Sequence, residues 1–255
     1  MGFYYDFEIV NLIGLSFEEA KAGIDLTKPS QLVVTDNQRV IDYCLANSMP
    51  VAAAEDADCT RGLKADFILA DFEQIEDNEV ERVYCRQRGL SWIPFESERF
   101  YFKELALSDV DALFDLYSKP HVTDYLEPLF EYEKELEYEA NYIKYIYEFY
   151  NFGMWLVFDK KTNALVGRAG LESRENCQSD ELELGFIVAP EFQRQGYATE
   201  ICNAILDYAI NWLEIDRFIS RCDPKNLASR ALLSKLGFVA EDDLLEDGDM
   251  LWKKG

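Results

Sequence analysis

Histidine is nearly absent: the 255-residue chain has one, His121, and its six cysteines include no Cys-x-x-Cys pair. No zinc-type ligand set is suggested, and Cys44, Cys59, Cys85, Cys177, Cys202 and Cys222 are expected to be reduced thiols, mostly core filler, rather than a disulfide framework. Basic residues are scarce too, 25 Lys+Arg against 49 Asp+Glu for a net charge of −24. That balance argues against a nucleic-acid backbone or an anionic membrane surface as partner, so any bound phosphate must be held locally. No apolar run approaches the roughly 18 to 20 residues that a spanning helix needs. The opening Met1-Gly-Phe-Tyr-Tyr-Asp6 has neither a basic nor an apolar leader region, and Asp6 stands where a myristoylation signal has Ser or Thr. A cytoplasmic address is expected. What is present, 49% apolar and 14% aromatic residues, suffices for packed cores, and the length favours two units.

The first grammar is that of a parallel α/β layer. Gln31 to Asp36 reads as a short apolar strand closed by a polar residue, followed by a helix from Asn37 to about Ser48. Strands are expected at Pro50–Ala54 and Asp66–Ala70, then a helix from Glu73 to Arg88 ended by Gly89. Alternating strands and helices imply a small Rossmann-like parallel layer. Phe95 to Arg99 reads as a connector, placing the units at 1–96 and 97–255. Beyond it the expectation is a strand at Tyr101–Ala106, a helix capped by Ser108 and running to about Tyr117, and one long helix over residues 131 to 150. A hairpin follows, with strands at Met154–Phe158 and Ala164–Leu171, and then a strand at Glu181–Val188.

The chemistry concentrates after that strand. Ala189-Pro-Glu-Phe192 leads to Gln193-Arg-Gln-Gly-Tyr-Ala198, which opens a helix from Tyr197 to about Leu213. A strand, a glycine-containing loop and a helix N-terminus present free N–H groups and a positive dipole end to a phosphate, and Arg194 adds a charge. Next come a strand at Arg217–Cys222, Asn226-Leu-Ala-Ser229 opening a helix, and Leu236-Gly-Phe238 with Gly237 as its cap. This order resembles the GNAT superfamily of N-acetyltransferases over residues 97 to 252. The pyrophosphate-loop positions are Gln193, Gly196 and Ala198, and the later signature is Asn226, Gly237 and Phe238. The Asn-x-x-Ser string and Glu183-x-Gly-Phe look most like the ribosomal-protein N-acetyltransferase branch. The overall expectation is an α/β (α+β) chain, with the parallel layer followed by a GNAT fold whose mixed central sheet splays between its fourth and fifth strands.

The resemblance implies acetyl-CoA as co-substrate and no metal. It assigns donor binding to Phe186, Ile187, Val188, Gln193, Arg194, Gln195, Gly196, Tyr197, Ala198, Thr199, Asn226 and Ser229. Amine acetylation needs a neutral amine, a polarised carbonyl and a protonated leaving thiolate, and proximity supplies much of the barrier reduction. Glu183 is the candidate base, or a group that only orients the acceptor. Many family members protonate the thiolate with a Tyr one turn before the closing Gly-Phe. Leu233 stands there, so Ser229 is the candidate donor in its place. Of six tyrosines between Tyr132 and Tyr150, one or two are expected to touch the acceptor, and His121 lies near the same cleft. The acceptor is a small-molecule amine or a peptide N-terminus, with cationic groups favoured by the negative charge. A homodimer is possible. The other reading is a non-catalytic acyl-CoA-binding module with a partner-binding N-terminal domain.

Leu32 to Asp36, Pro50–Ala54 and Ala65–Leu69 with their helices look like the last third of a haloacid-dehalogenase-like phosphatase. That family also requires an Asp-x-Asp nucleophile after an apolar strand, and the nearest string, Asp6-Phe-Glu8, follows none. A catalytically inert α/β remnant is therefore expected, used for packing, dimerisation or acceptor recognition.

Overall fold

The computed structural model describes residues 4–55, 62–72, 75–174 and 180–255. Two compact units result, Met1–Trp92 and Ile93–Gly255. The first is a four-stranded parallel sheet in the order β1 (Glu8–Asn11), β2 (Gln31–Thr35), β3 (Val51–Glu55) and β4 (Ile68–Ala70). Strands β2 and β3 are buried along their whole length, as strands covered on both faces must be. Their side chains alternate between two cores. Val33, Val51 and Ala53 pack with α1 (Phe17–Gly23) and α2 (Gln38–Ala46), whereas Leu32, Val34, Ala52 and Ala54 pack with α3 (Asp77–Arg88). Asn37 caps α2 by accepting from the Arg39 N–H, and α3 ends on Gly89 in the left-handed region, φ 63°.

Two elements here are invisible in the sequence reading. β1 is short and only half-buried, and α1 is seven residues long, started by a Ser16/Glu19 capping box. Asp6 precedes β1 rather than following a strand. Asp36 accepts a hydrogen bond from Gly14 N–H at 2.8 Å, so it secures the β1–α1 turn, and no group of three or more metal-ligating side chains occurs among the described residues. The expected start of α3 at Glu73 moves to Asp77, with residues 73 and 74, like Cys59 and Cys177, outside the described residues. Cys44, Cys85, Cys202 and Cys222 are free and buried.

The second unit is built on an eight-stranded sheet in the order β11-β12-β10-β9-β8-β7-β6-β5. These are β5 (Phe95–Glu96), β6 (Phe100–Lys103), β7 (Met154–Asp159), β8 (Leu165–Glu172), β9 (Glu181–Val188), β10 (Arg217–Cys222), β11 (Val239–Leu244) and β12 (Met250–Lys254). The segment read as a connector thus contributes an edge strand, because Phe95 pairs with Phe102 and stacks on Tyr208 at 4.3 Å. α4 (Val110–Tyr117) follows a 3-10 turn, Leu107–Asp109, and the acid rather than Ser108 secures that turn: Asp109 accepts from Ala106 N–H and from Lys103 Nζ. The helix at 131–150 is interrupted. α5 (Tyr132–Tyr142) passes into a π-helical turn, Ile143–Tyr147, before α6 (Glu148–Tyr150). α7 (Tyr197–Trp212) and α8 (Leu227–Lys235) complete the unit.

Within this eight-stranded sheet every described strand pair but one is antiparallel, and the exception shapes the sheet. β9 and β10 run parallel and pair only as Arg217↔Glu181, Phe218↔Leu182 and Ile219↔Glu183. Beyond Glu183 the ladder stops, although β9 stays paired to β8 as far as Gly167↔Val188. The mixed sheet therefore opens into a V. The close strand crossings on its closed side demand glycine: a Cβ at Gly167 would lie 2.0 Å from the Ile187 carbonyl oxygen, and one at Gly170 would lie 1.9 Å from that of Gly153.

Candidate active site

The exposed edge of β9 carries the first set of predicted residues. Past the last β10 pair, the Leu184 carbonyl accepts the Ser220 hydroxyl at 2.9 Å and the Val188 carbonyl accepts the Gln193 amide at 2.9 Å. Phe186 is half-buried, while Ile187 and Val188 are buried. Gln193 thus spans from the loop back to the strand end. Gln195 instead closes the loop on itself, donating to the Glu191 carbonyl of the preceding 3-10 turn at 2.8 Å. Arg194 and Gly196 both take left-handed backbone, φ 59° and 77°, and Gly196 is the N-cap of α7 with no side chain capping the helix. A turn of this shape with an uncapped helix start can hold an anion, since backbone N–H groups and the helix dipole converge there.

Sequence reasoning missed the brace behind this loop. Glu200, in the first turn of α7, accepts from Arg99 N–H at 2.9 Å, from Arg99 Nε at 2.5 Å and from the Ser97 hydroxyl at 2.7 Å. Burial opposes its ionisation, but those bonds hold its carboxyl below the usual range. The Arg99 guanidinium also stacks over Tyr197, 4.4 Å from the ring centroid. Nothing in the local sequence links residues a hundred positions apart. A groove of about 600 Å³ runs along α7, with Gly196 and Thr199 among its walls, and Lys235 Nζ stands 3.3 Å from Thr199 Oγ1.

On the other arm of the V, Asn226 is the N-cap of α8 and accepts from Ser229 N–H at 3.1 Å. Ser229 is half-buried, in the first turn of α8. Leu233 is fully buried in the core, so the position itself offers no group to a leaving thiolate.

Glu183 occupies the last position where β9 and β10 are paired. Its strand face is shared with Gly185 and Ile187, and Ile187 packs on Leu116 of α4. Directly opposite in the β8–β9 ladder stands Glu172. Two carboxylates so placed repel, and Arg174 relieves them, bonding Glu172 at 2.5 Å and lying 3.9 Å from Glu183. Burial pushes the Glu183 carboxyl up, against the pull of Arg174 and Arg221 and with a further push from Glu172 and Asp249. A carboxylate whose burial favours its protonated form is a better proton acceptor than an exposed one, and at the fork of a V it can take a proton from an ammonium.

The tyrosines divide by environment. Tyr147 is fully buried; Tyr132 bonds Asp111; Tyr138, Tyr142, Tyr145 and Tyr150 line a cavity of about 360 Å³ together with Glu172 and Arg174. Beneath them, the buried Arg168 of β8 pairs with the buried Glu139 of α5 at 2.9 Å and lies 5.8 Å from the Tyr142 ring centroid. His121, in contrast, is highly exposed and pairs with its neighbour Asp124 at 2.8 Å.

A mixed sheet that splays between β9 and β10 accords with an acetyltransferase fold, and the chain belongs to the GNAT acetyltransferase family. The model of the acetyltransferase (GNAT) domain matches residues 99–239, more than half of the chain. The protein is accordingly an acyltransferase. It is 26% identical over 148 residues to the uncharacterised Bacillus subtilis N-acetyltransferase YoaA, covering 57% of this chain and 82% of that one. Among solved structures, the ribosomal L7/L12 α-N-protein acetyltransferase RimL superposes with a TM-score of 0.56 at 20% identity, over 65% of this chain and 94% of that one. RimL has also been solved in complex with coenzyme A. The Vibrio cholerae spermidine N-acetyltransferase, solved with CoA and spermine, gives a TM-score of 0.51 at 24% identity, over 61% of this chain and 93% of that one. Among the described residues, no helix is long and apolar enough to cross a membrane.

Proposed function

We propose that the second unit transfers an acetyl group from acetyl-CoA to the primary amine of a small molecule or protein N-terminus by direct attack in a ternary complex. The observation that carries this reading is the position of Glu183, half-buried at the last β9–β10 pair where the sheet opens. The uncapped N-terminus of α7, with Gln193 to Thr199, holds the pyrophosphate, and the free edge of β9 from Phe186 to Val188 takes the pantetheine arm. Asn226 and Ser229 close the other side. The thioester supplies an activated acetyl group: Glu183 takes a proton from the acceptor ammonium, directly or through water, the freed amine nitrogen bonds to the acetyl carbonyl carbon as the C–S bond breaks, and Ser229 gives a proton to the leaving thiolate. The excess of carboxylates around Glu183 draws a cationic acceptor. The proposed setting is the cytoplasm, and the first unit serves packing, dimerisation or acceptor recognition. The test is free-thiol release from acetyl-CoA against a panel of amines, amino acids and peptide N-termini, with calorimetric CoA binding alongside. Release stimulated by one acceptor class supports the reading; tight CoA binding without stimulated release by any amine overturns it.

A further inference from the structure

The cavity beside Glu183 has two chemically different ends. One end holds Glu172 and Arg174. Glu172 faces Glu183 across the ladder and both approach the guanidinium of Arg174, while Arg221, which also acts on Glu183, is paired with Asp247 and Asp249; four carboxylates against two guanidiniums leave room for one more positive charge. The other end is formed by Tyr138, Tyr145, Tyr150, Ile146 and Phe152. Glu172 is the only carboxylate among the described residues that line the cavity.

We propose that the acceptor is a primary amine carrying an aromatic ring, with its ammonium at Glu172 and Glu183 and its ring among Tyr138, Tyr145 and Tyr150. The assignment rests on the transfer reading above for the amine's role as nucleophile, and it adds the rest of the acceptor. A volume of about 360 Å³ admits a single ring with a short alkyl arm, and aromatic walls bind a ring by offset and edge-to-face contacts as well as by burial. A linear polyamine fits less well, since its second ammonium finds no second carboxylate among the described residues that line the cavity. The walls are also uncovered: Tyr145 is 58% exposed and Tyr150 40% exposed, a high cost in apolar surface unless a ligand covers them.

The experiment compares phenethylamine, ethanolamine and putrescine on the CoA-saturated full chain by calorimetry, and as acceptors by thiol release. Phenethylamine is expected to bind at least about tenfold more tightly than ethanolamine, the discrimination an apolar pocket gives for a group of this size. Tyr145→Ala and Tyr150→Ala should each reduce the phenethylamine-to-ethanolamine ratio of kcat/KM by about tenfold, with Tyr145→Phe retaining it. Equal binding of phenethylamine and ethanolamine, or tighter binding of putrescine, overturns the proposal even if acetyl transfer is observed. Preferential phenethylamine binding without thiol release upholds the ring pocket and overturns the transfer reading instead.

Discussion

Tyr142 and Tyr147 hold the two sides of one residue: Tyr142 Oη accepts the Met154 N–H at 2.9 Å, and Tyr147 Oη donates to the Met154 carbonyl at 2.6 Å. Residues five apart point in different directions in an α-helix but align over one turn of π-helix, and the π turn Ile143–Tyr147 lies between these two. Their rings meet edge to face at 5.2 Å. The interruption in the helix thus ties it to the start of β7, and it leaves the Tyr142 hydroxyl 3.2 Å from Glu172.

Removing either hydroxyl should therefore have different consequences. Tyr147→Phe leaves the Met154 carbonyl and the Leu105 N–H without their partner, and should cost about 1–3 kcal/mol in denaturant unfolding. Tyr142→Phe should cost a similar amount and also free Glu172 on the acceptor side, raising the acceptor KM while the Kd for CoA stays constant.

Glu183 must be ionised to accept a proton, so the acidic limb of kcat/KM should lie above the ordinary carboxylate range, in the direction that its burial dictates. Glu183→Gln should reduce kcat by about 10²–10⁴-fold with CoA binding preserved. Arg174 pulls the Glu183 carboxyl down. Arg174→Ala should consequently move the acidic limb to higher pH, and an unmoved limb in a pH–rate series would exclude Glu183 as the titrating group.

Ser229→Ala removes a hydroxyl but no cap, since Asn226 bonds the Ser229 backbone N–H. Its expected signature is a lower kcat with unchanged unfolding free energy. Asn226→Ala, by contrast, should destabilise by about 1 kcal/mol through loss of the helix cap.

Gly196→Ala places a side chain at φ 77°, a left-handed conformation that costs about 1–2 kcal/mol outside glycine. The loop should relax away from its cradle shape, and calorimetry should show CoA affinity lowered by about tenfold with little change in the acceptor KM.

Arg168→Leu strands the buried Glu139 carboxylate. A loss of about 3–5 kcal/mol in stability is expected, the cost of an unpaired buried charge.

Much of this architecture was legible because it is local. The apolar run Leu32–Val34 announces a doubly covered strand, Gly89 and Asn226 announce helix ends through their own backbone and side-chain chemistry, and Gln193 to Ala198 places a glycine where a left-handed turn opens a helix. Such features depend on residues within one turn of each other, so the order of amino acids determines them. The rest depends on distance. β5 is a strand only because Phe102 lies beside Phe95, and Glu200 braces the loop only because the fold brings Arg99 to it. The opposition of Glu172 and Glu183 comes from ladder register, and the π turn of residues 143–147 answers to Met154 on a neighbouring strand. Sequence by itself determined the locally patterned elements and the glycine turn that opens α7; only tertiary structure decided which carboxylates, guanidinium and tyrosines come together, because those energies arise between segments that share no local pattern.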